Sequence, residues 1–192
     1  MVLSKNNQAK TNGTLIDKFL TSAIDLTSMS IAYHDIDINK GRYDSTPKNA
    51  IIIASTGVDG CHFCVVPRQG LSIDESPIYF VSPMDWYDTI RWVSKDFIDF
   101  LSIGVSMGSF TYIGCLPCDR EEFMHFVNES WLDDVDETKH AIKLLQEEFP
   151  LRNYDDLYQY VIDSYNNVNN HINLGFESLK MNEYKLGCFN RE

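Results

Sequence analysis

Residues 50–66 read AIIIASTGVDGCHFCVV, and this stretch decides the fold of the chain. Two apolar runs, residues 50–54 and residues 61–66, flank a short turn in which Gly57 and Gly60 can adopt positive φ angles. This pattern predicts a β-hairpin. Because both runs are continuously apolar and do not alternate with polar residues, we expect the hairpin to be covered on both faces.

Further strands are predicted on either side of the hairpin. Residues 78–81 are a short apolar segment stopped by Pro83, residues 90–93 place Ile90 and Trp92 on one face, and residues 29–38 alternate over part of their length. Consecutive strands joined by tight turns favour an antiparallel sheet, and the lack of strand–helix alternation disfavours a Rossmann or barrel enzyme. The sequence therefore predicts an α+β fold with an antiparallel sheet of at least four strands flanked by helices.

Helices are predicted where apolar residues recur three or four positions apart behind a residue that can cap the first turn. The predicted caps are Thr14 (for a helix over residues 14–27), Ser94, Asp119 with Glu122 in a capping box, and Asn153, and a further amphipathic helix covers residues 136–149. We expect a frayed leader over residues 1–13 and one domain over residues 14–192, with the sheet core at about 29–93, the helical part at about 94–170 and one or two more strands within 173–189.

The chain is strongly acidic, since its 192 residues carry a net charge of −12. Such a charge disfavours binding to nucleic acid and favours a basic protein partner. Residues 119–163 hold 13 acidic and 4 basic residues, so the helical part is predicted to present an acidic face. Within that face we expect Asp133, Asp134, Asp136 and Glu137 to contact the partner.

The sequence also predicts the compartment. It has no apolar stretch of about 18 residues, so we expect no membrane span. Its first 13 residues are polar and do not resemble a secretory signal. We therefore expect a cytoplasmic protein in which the five cysteines are reduced thiols.

A serine nucleophile is one candidate chemistry, because residues 104–108 match the motif G-x-S-x-G around Ser106. In hydrolases this motif follows a strand and opens a helix, which forces the serine into an exposed, strained position. Here a helix-like segment precedes the motif and a strand-like segment follows it. We therefore expect Gly104 and Gly108 to mark the end of a helix.

Two C-x-x-C pairs, Cys61 with Cys64 and Cys115 with Cys118, are candidates for zinc binding or thiol redox chemistry. In a strand, residues three apart point to opposite faces, which disfavours a zinc site shared by Cys61 and Cys64. Because cysteine is more commonly a buried small hydrophobe, we expect that role for both. A helix starting near Asp119 would lower the thiol pKa of Cys118, but the acidic residues beside it would raise that pKa. We expect no bound cofactor.

The histidines form no close pair. His62, between two apolar residues, is predicted to be a core histidine with one hydrogen bond, and His125 and His140 are predicted to lie on solvated helix faces. The pair Trp86–Tyr87 follows a predicted strand in a polar loop. Such rings either anchor a protein interface or fold over the edge of the sheet.

Three phrases carry a resemblance to a known family: VDGCHF at residues 58–63, SPM at residues 82–84 and DFIDFL at residues 96–101. In these phrases, over about 50 of the 192 residues, the chain resembles uncharacterised bacterial proteins in the neighbourhood of the SMI1/KNR4-like (SUKH) superfamily. The resemblance implies an α+β fold without a catalytic site. It also implies a cytoplasmic binding module, often an immunity protein that neutralises a toxin.

The sequence therefore predicts a non-enzymatic protein-binding module. We expect Asp59, Trp86, Tyr87 and the acidic helical face to contact the partner. Two alternatives stay open: a small thiol- or zinc-dependent protein that uses the two C-x-x-C pairs, and a regulatory or structural subunit.

Overall fold

The structure is a computed structural model that describes residues 13–33, 43–85, 89–111, 113, 119–129 and 135–169. The predicted leader and the predicted strands within 173–189 lie outside this part of the chain, apart from Gly13. In chain order the elements are α1 (Leu15–Thr21), a 3-10 helix (Thr27–Met29), β1 (Ile51–Ser55), β2 (His62–Val65), β3 (Ile78–Val81), β4 (Ile90–Ser94), α2 (Phe97–Met107), α3 (Arg120–Glu129), α4 (Val135–Glu148) and α5 (Leu157–Asn169).

The four strands form one sheet in the order β1-β2-β3-β4, and every neighbouring pair is antiparallel. This confirms the α+β fold, the central hairpin and the two strands that follow it. Phe63 is opposite Phe80, and Val81 is opposite Ile90. Connections that only join neighbouring strands are typical of an antiparallel meander.

Both faces of the sheet are buried, as the continuous apolar runs predict. One face, which includes Phe63 and Phe80, packs against α1 and α2 in the larger hydrophobic core. The other face, which includes Cys64 and Trp92, forms a second core with Tyr165 of α5. Successive residues of a strand point to opposite faces, so one short strand serves both cores.

A bulge interrupts β1. Ile52 is opposite Cys64 and Ala54 is opposite Phe63, which leaves Ile53 as an extra residue. Because of this bulge, Ile53 and Ala54 both belong to the larger core, whereas Ile52 belongs to the second core.

Helix α1 begins as predicted but ends six residues early. Thr14 caps it through a capping box with Asp17, and its last residue is Thr21. A second cap comes from the β2–β3 connection: the carboxylate of Asp74 accepts hydrogen bonds from the amides of Leu15 (2.8 Å) and Ile16 (3.1 Å). The sheet therefore fixes the start of α1.

The predicted strand at residues 29–38 is wrong in its described part. Met29 ends the 3-10 helix, and Ser30 has a left-handed φ of 59° that an extended strand does not allow. Only an isolated bridge between Ala32 and Ser55 has strand geometry there. Residues 34–38 lie outside the described residues.

Two of the predicted caps are also wrong. Ser94 is the last residue of β4, and Asp96 caps α2 by accepting a hydrogen bond from the amide of Asp99 at 2.7 Å. At α5 the capping carboxylate is that of Asp156, not the side chain of Asn153. In each case a carboxylate adjacent to the first helical residue takes the cap.

The predicted cap of α3 is confirmed, because Asp119 accepts a hydrogen bond from the amide of Glu122 at 2.9 Å.

Inside the molecule, aromatic rings of α1, α2 and the end of α4 stack edge to face around Phe97. Among the described residues, no helix has the length and the apolar character needed to cross a bilayer.

Candidate functional site

Two of the three connections of the sheet lie at the same end of it. Val81 pairs with both His62 and Ile90, so the β1–β2 and β3–β4 connections leave the sheet side by side. The thiol of Cys61 and the hydroxyl of Ser82 join them at 3.6 Å. We call this region, which comprises Tyr43, residues 56–61 and residues 82–85, the turn end of the sheet.

Asp59 lies in the β1–β2 turn, in a left-handed conformation. Its φ is 51° and that of Gly60 is 72°. The amide of Cys61 donates to the carbonyl of Val58 at 2.8 Å and closes the turn. Two successive positive φ angles are the requirement of a type I′ turn, which Asp-Gly favours. The carboxylate of Asp59 is exposed and has no ion pair among the described residues.

A buried histidine supports this turn from below. Nδ1 of His62 donates to the carbonyl of Gly60 at 2.8 Å, and Nε2 accepts from the hydroxyl of Thr46 at 3.1 Å. The ring of Tyr43 stacks on the imidazole at a centroid distance of 6.2 Å. His62 is therefore a core histidine, as predicted, but with at least two hydrogen bonds.

Exposed apolar side chains collect at the turn end. Of the five large hydrophobic side chains that are exposed in the described residues, Tyr43 (45%), Val58 (62%) and Met84 (67%) lie there. The other two are Leu71, in the β2–β3 connection at the opposite end of the sheet, and Met124 of α3. Clustered exposed apolar groups are typical of contact surfaces.

The predicted contact residues Trp86 and Tyr87 lie outside the described residues. The structure does describe the two ends of their connection. The hydroxyl of Thr89 donates to the carbonyl of Asp85 at 2.6 Å, and the carboxylate of Asp85 pairs with Arg91. These contacts hold the residues before and after the pair at the turn end.

The acidic face is described in part. Asp136 and Glu137 are exposed in the first turn of α4, where the helix dipole favours negative charge. Asp133 and Asp134 lie outside the described residues. Among the predicted contact residues that the structure describes, no hydrogen bond or ion pair joins Asp59 to Asp136 or Glu137.

A second group of acids lies close in sequence to an ion pair between α3 and α5. The guanidinium of Arg120 donates to the carboxylate of Asp156 at 2.7 Å, which joins the first turn of α3 to the start of α5 and lowers the pKa of Asp156. Glu121 and Glu122 follow Arg120 in the sequence, and Asp155 precedes Asp156. All three are exposed, and none has an ion pair in the residues that the structure describes. We call the exposed carboxylates of both groups the acidic helical residues: Glu121, Glu122, Asp136, Glu137 and Asp155.

A buried polar cluster at the start of α2 was missed by sequence reasoning. Asp99 is fully buried and accepts hydrogen bonds from the hydroxyls of Tyr154 (2.7 Å) and Tyr160 (2.6 Å). Arg152 contacts Asp99 at 3.3 Å and forms two hydrogen bonds with Asp96. These five residues are termed the Asp99 cluster.

The Asp99 cluster raises the pKa of its two tyrosines. Burial, and then hydrogen bonding to Asp99, raise the pKa of Tyr154 and of Tyr160. The hydrogen bonds to Asp96 raise the pKa of Arg152. Every member of the cluster has a hydrogen-bond partner within it. These bonds connect the start of α2 to the segment before α5 and to α5 itself. One sequence signal existed, namely a carboxylate at an otherwise apolar helix position.

The two described cysteines do not point to one site. Cys61 packs against the larger core and Cys64 belongs to the second core, so they lie on opposite faces of the sheet, as alternation predicts. Within the described ranges, no three His, Cys, Asp or Glu side chains are placed to hold a metal ion together. Cys115 and Cys118 lie outside those ranges.

His125 and His140 are exposed on their helices, as predicted.

The G-x-S-x-G motif ends a helix. Ser106 lies in the last turn of α2, and Gly108 follows as a left-handed C-cap with a φ of 67°. Gly104 lies against the ring of Phe110, where an added Cβ would come within 2.3 Å of Cε1. The motif therefore records helix packing and capping, as expected, and Ser106 lacks the strained conformation of a nucleophile elbow.

Comparison of the chain with protein-family models, with curated proteins and with solved structures gives no match. The resemblance to the SMI1/KNR4-like superfamily therefore stays a prediction.

Proposed function

We propose that this protein is a non-enzymatic binding module whose partner is a basic protein. The observation that carries this proposal is the set of exposed carboxylates without ion pairs on the helical part. Three nearby cations are already engaged: Arg120 pairs with Asp156, Arg152 with Asp96, and Lys18 of α1 with Glu148. Lys139 of α4 has no ion pair within the described residues, but the five acidic helical residues outnumber it and are left to attract charge from outside.

Such a surface changes the rate at which the protein and its partner associate. A field of one sign raises the association rate of an oppositely charged protein, and the effect falls steeply with salt. Isolated surface carboxylates contribute little to the stability of the fold itself. A whole-chain charge of −12 acts in the same direction. The charge therefore supports rapid, salt-sensitive association with a cationic surface.

The resemblance to SMI1/KNR4-like proteins suggests which basic protein this is. Immunity proteins of that superfamily neutralise toxins, so a basic toxin domain is the partner class that we propose. A protein of this kind needs a stable surface and no catalytic group. The Asp99 cluster fits that requirement, because its polar atoms are engaged with one another inside the structure.

The proposal is tested by affinity capture from the source cells. The chain is immobilised, loaded with lysate at low salt and eluted with a salt gradient, and mass spectrometry identifies the eluted proteins. We expect one dominant protein with an isoelectric point above about 9, the range of strongly basic domains. The same chain with Glu121→Gln, Glu122→Gln and Asp155→Asn should release this protein at lower salt.

The control variant carries Ser106→Ala and His140→Gln, which change exposed or half-exposed helix residues without removing a carboxylate. Its elution profile should match that of the unmodified chain. If no basic protein is retained by the unmodified chain at low salt, the proposed function is wrong.

A further inference from the structure

We infer that the turn end of the sheet is the docking surface for the basic partner, and that the acidic helical residues only steer the partner toward it. This inference rests on the proposed function and assigns its two components to two different places. Docking needs desolvated apolar contact, which the acidic helical residues do not supply. The turn end supplies it through Tyr43, Val58 and Met84.

The exposed side chains of the turn end come from three segments of the chain that lie side by side. A Cβ at Gly60 would come within 2.3 Å of the Tyr43 ring, so this ring lies on the β1–β2 turn that also holds Val58. The contact between Cys61 and Ser82 places the segment of Met84 beside the same turn. Three exposed apolar side chains therefore share one end of the sheet.

This surface is held in place before any partner arrives. The turn is closed by the hydrogen bond between Cys61 and Val58, and His62 fixes the carbonyl of Gly60 from inside. At the second connection, the amide of Asp85 donates to the carbonyl of Ser82 at 3.1 Å. A surface that is already ordered loses little conformational entropy on binding, which favours affinity.

Charge selects the kind of partner. Asp44, next to Tyr43, and Asp59 are exposed carboxylates beside the apolar side chains, and neither has an ion pair within the described residues. A second copy of this chain would bring a further net charge of −12 to the contact, which disfavours self-association. A cationic protein with an apolar surface complements both features.

The experiment separates docking from steering by kinetics. The probe is the basic protein that the immobilised chain retains, purified and passed over the chain by surface plasmon resonance. Val58→Ser with Met84→Ser should raise the dissociation rate constant roughly tenfold or more, because central apolar anchors control dissociation. Neutralising Glu121, Glu122 and Asp155 should instead lower the association rate constant and its salt dependence.

Matched controls use the other exposed hydrophobic residues. Leu71→Ser lies at the opposite end of the same sheet and Met124→Ser lies on α3, so both should leave the dissociation rate constant unchanged within about twofold. Asp59→Asn removes a charge while keeping a residue that tolerates the left-handed turn. We expect it to weaken binding about threefold at low salt and less at high salt.

The outcomes distinguish the two proposals. If the purified partner binds but Val58→Ser with Met84→Ser dissociates no faster than the controls, the docking surface is wrong and the proposed function stands. If light scattering shows a dimer of the unmodified chain that these substitutions disperse, the occupant is a second copy and the inference is wrong. If no basic protein is retained at all, the proposed function fails first.

Discussion

The guanidinium of Arg152 donates two hydrogen bonds to the carboxylate of Asp96, each 2.7 Å long, across 56 residues of sequence. Asp96 at the same time caps α2, so one carboxylate serves a helix start and a long-range ion pair. The geometry of a planar guanidinium on a carboxylate is specific as well as strong. It aligns the segment before α5 so that Tyr154 and Tyr160 reach Asp99.

The first prediction concerns the buried carboxylate of this cluster. Asp99→Ala should lower the free energy of unfolding by about 3–5 kcal/mol, because it leaves two tyrosine hydroxyls and part of the Arg152 charge without their acceptor. Urea unfolding followed by circular dichroism measures the loss. Asp155→Ala, at an exposed carboxylate without an ion pair in the described structure, should change it by less than about 0.5 kcal/mol. Equal effects would contradict the assigned role of Asp99.

The second prediction is a loss of stability at high pH. The pKa values of Tyr154 and Tyr160 are raised in the folded chain, so the unfolded chain releases these protons first, near pH 10. The stabilisation is complete below that pH and falls as the pH rises through the folded-state values. Urea unfolding between about pH 9 and pH 11 should show the decline.

The control for this pH dependence is the double variant Tyr154→Phe with Tyr160→Phe. Its unfolding free energy should fall less steeply with pH, although not to zero slope, because burial also raises the pKa of Tyr33 and Tyr79. An unchanged slope would mean that the two hydroxyls titrate alike in the folded and unfolded chains.

The third prediction distinguishes Gly104, which packs against Phe110, from Ser106 in the same G-x-S-x-G motif. Gly104→Ala should destabilise the fold by about 1–3 kcal/mol, because the new methyl group would overlap the buried ring of Phe110. The gain in helix propensity of up to about 1 kcal/mol does not offset such a contact. Ser106→Ala should be neutral in thermal unfolding. In a Phe110→Leu background the cost of Gly104→Ala should shrink, and a cost that persists there would point to another contact.

The fourth prediction concerns the cap that Asp74 provides to α1. Asp74→Ala removes the acceptor of two helix amides and should cost about 1–3 kcal/mol. Hydrogen exchange should accelerate at Leu15 and Ile16. Asp74→Asn keeps an acceptor without the charge and should give an intermediate loss. Undisturbed exchange at both amides in Asp74→Ala would contradict the role of Asp74 as their acceptor.

The sheet could be predicted from the sequence because its determinants are local. Each strand is a short apolar run bounded by turn residues, and its partner is the next run along the chain. The β1–β2 turn even carries its own signature in Asp59-Gly60. The bulge at Ile53 was not predictable, since no single residue in a run of three isoleucines marks it.

The sequence-based predictions were wrong where two local structures suit the same residues. Met29, Ile31 and Tyr33 have the spacing of a strand, and all three are buried, but the left-handed Ser30 turns the chain between them. Burial therefore followed the pattern while the backbone did not. Likewise Ser94 and Asp96 both suit a helix start, and the length of β4 decided between them.

The Asp99 cluster was beyond sequence reasoning for a different reason. The two aspartates are separated by more than 50 residues from Arg152 and the two tyrosines, and the packing of α5 beside β4 brings the two groups together. The turn end of the sheet was within partial reach. Asp59 was selected from sequence, but its neighbours Tyr43 and Met84 join it only through tertiary contacts.

The extra residue in β1 decides which changes of length this segment can accept. Deleting Ile53 would leave Ile52 and Ala54 as successive residues opposite two successive residues of β2, so each would keep its core. An added residue on the N-terminal side of the bulge would instead move Ala50 and Ile52 into the wrong core. A single-codon deletion at the bulge is therefore tolerable, whereas a single-codon insertion before it is not.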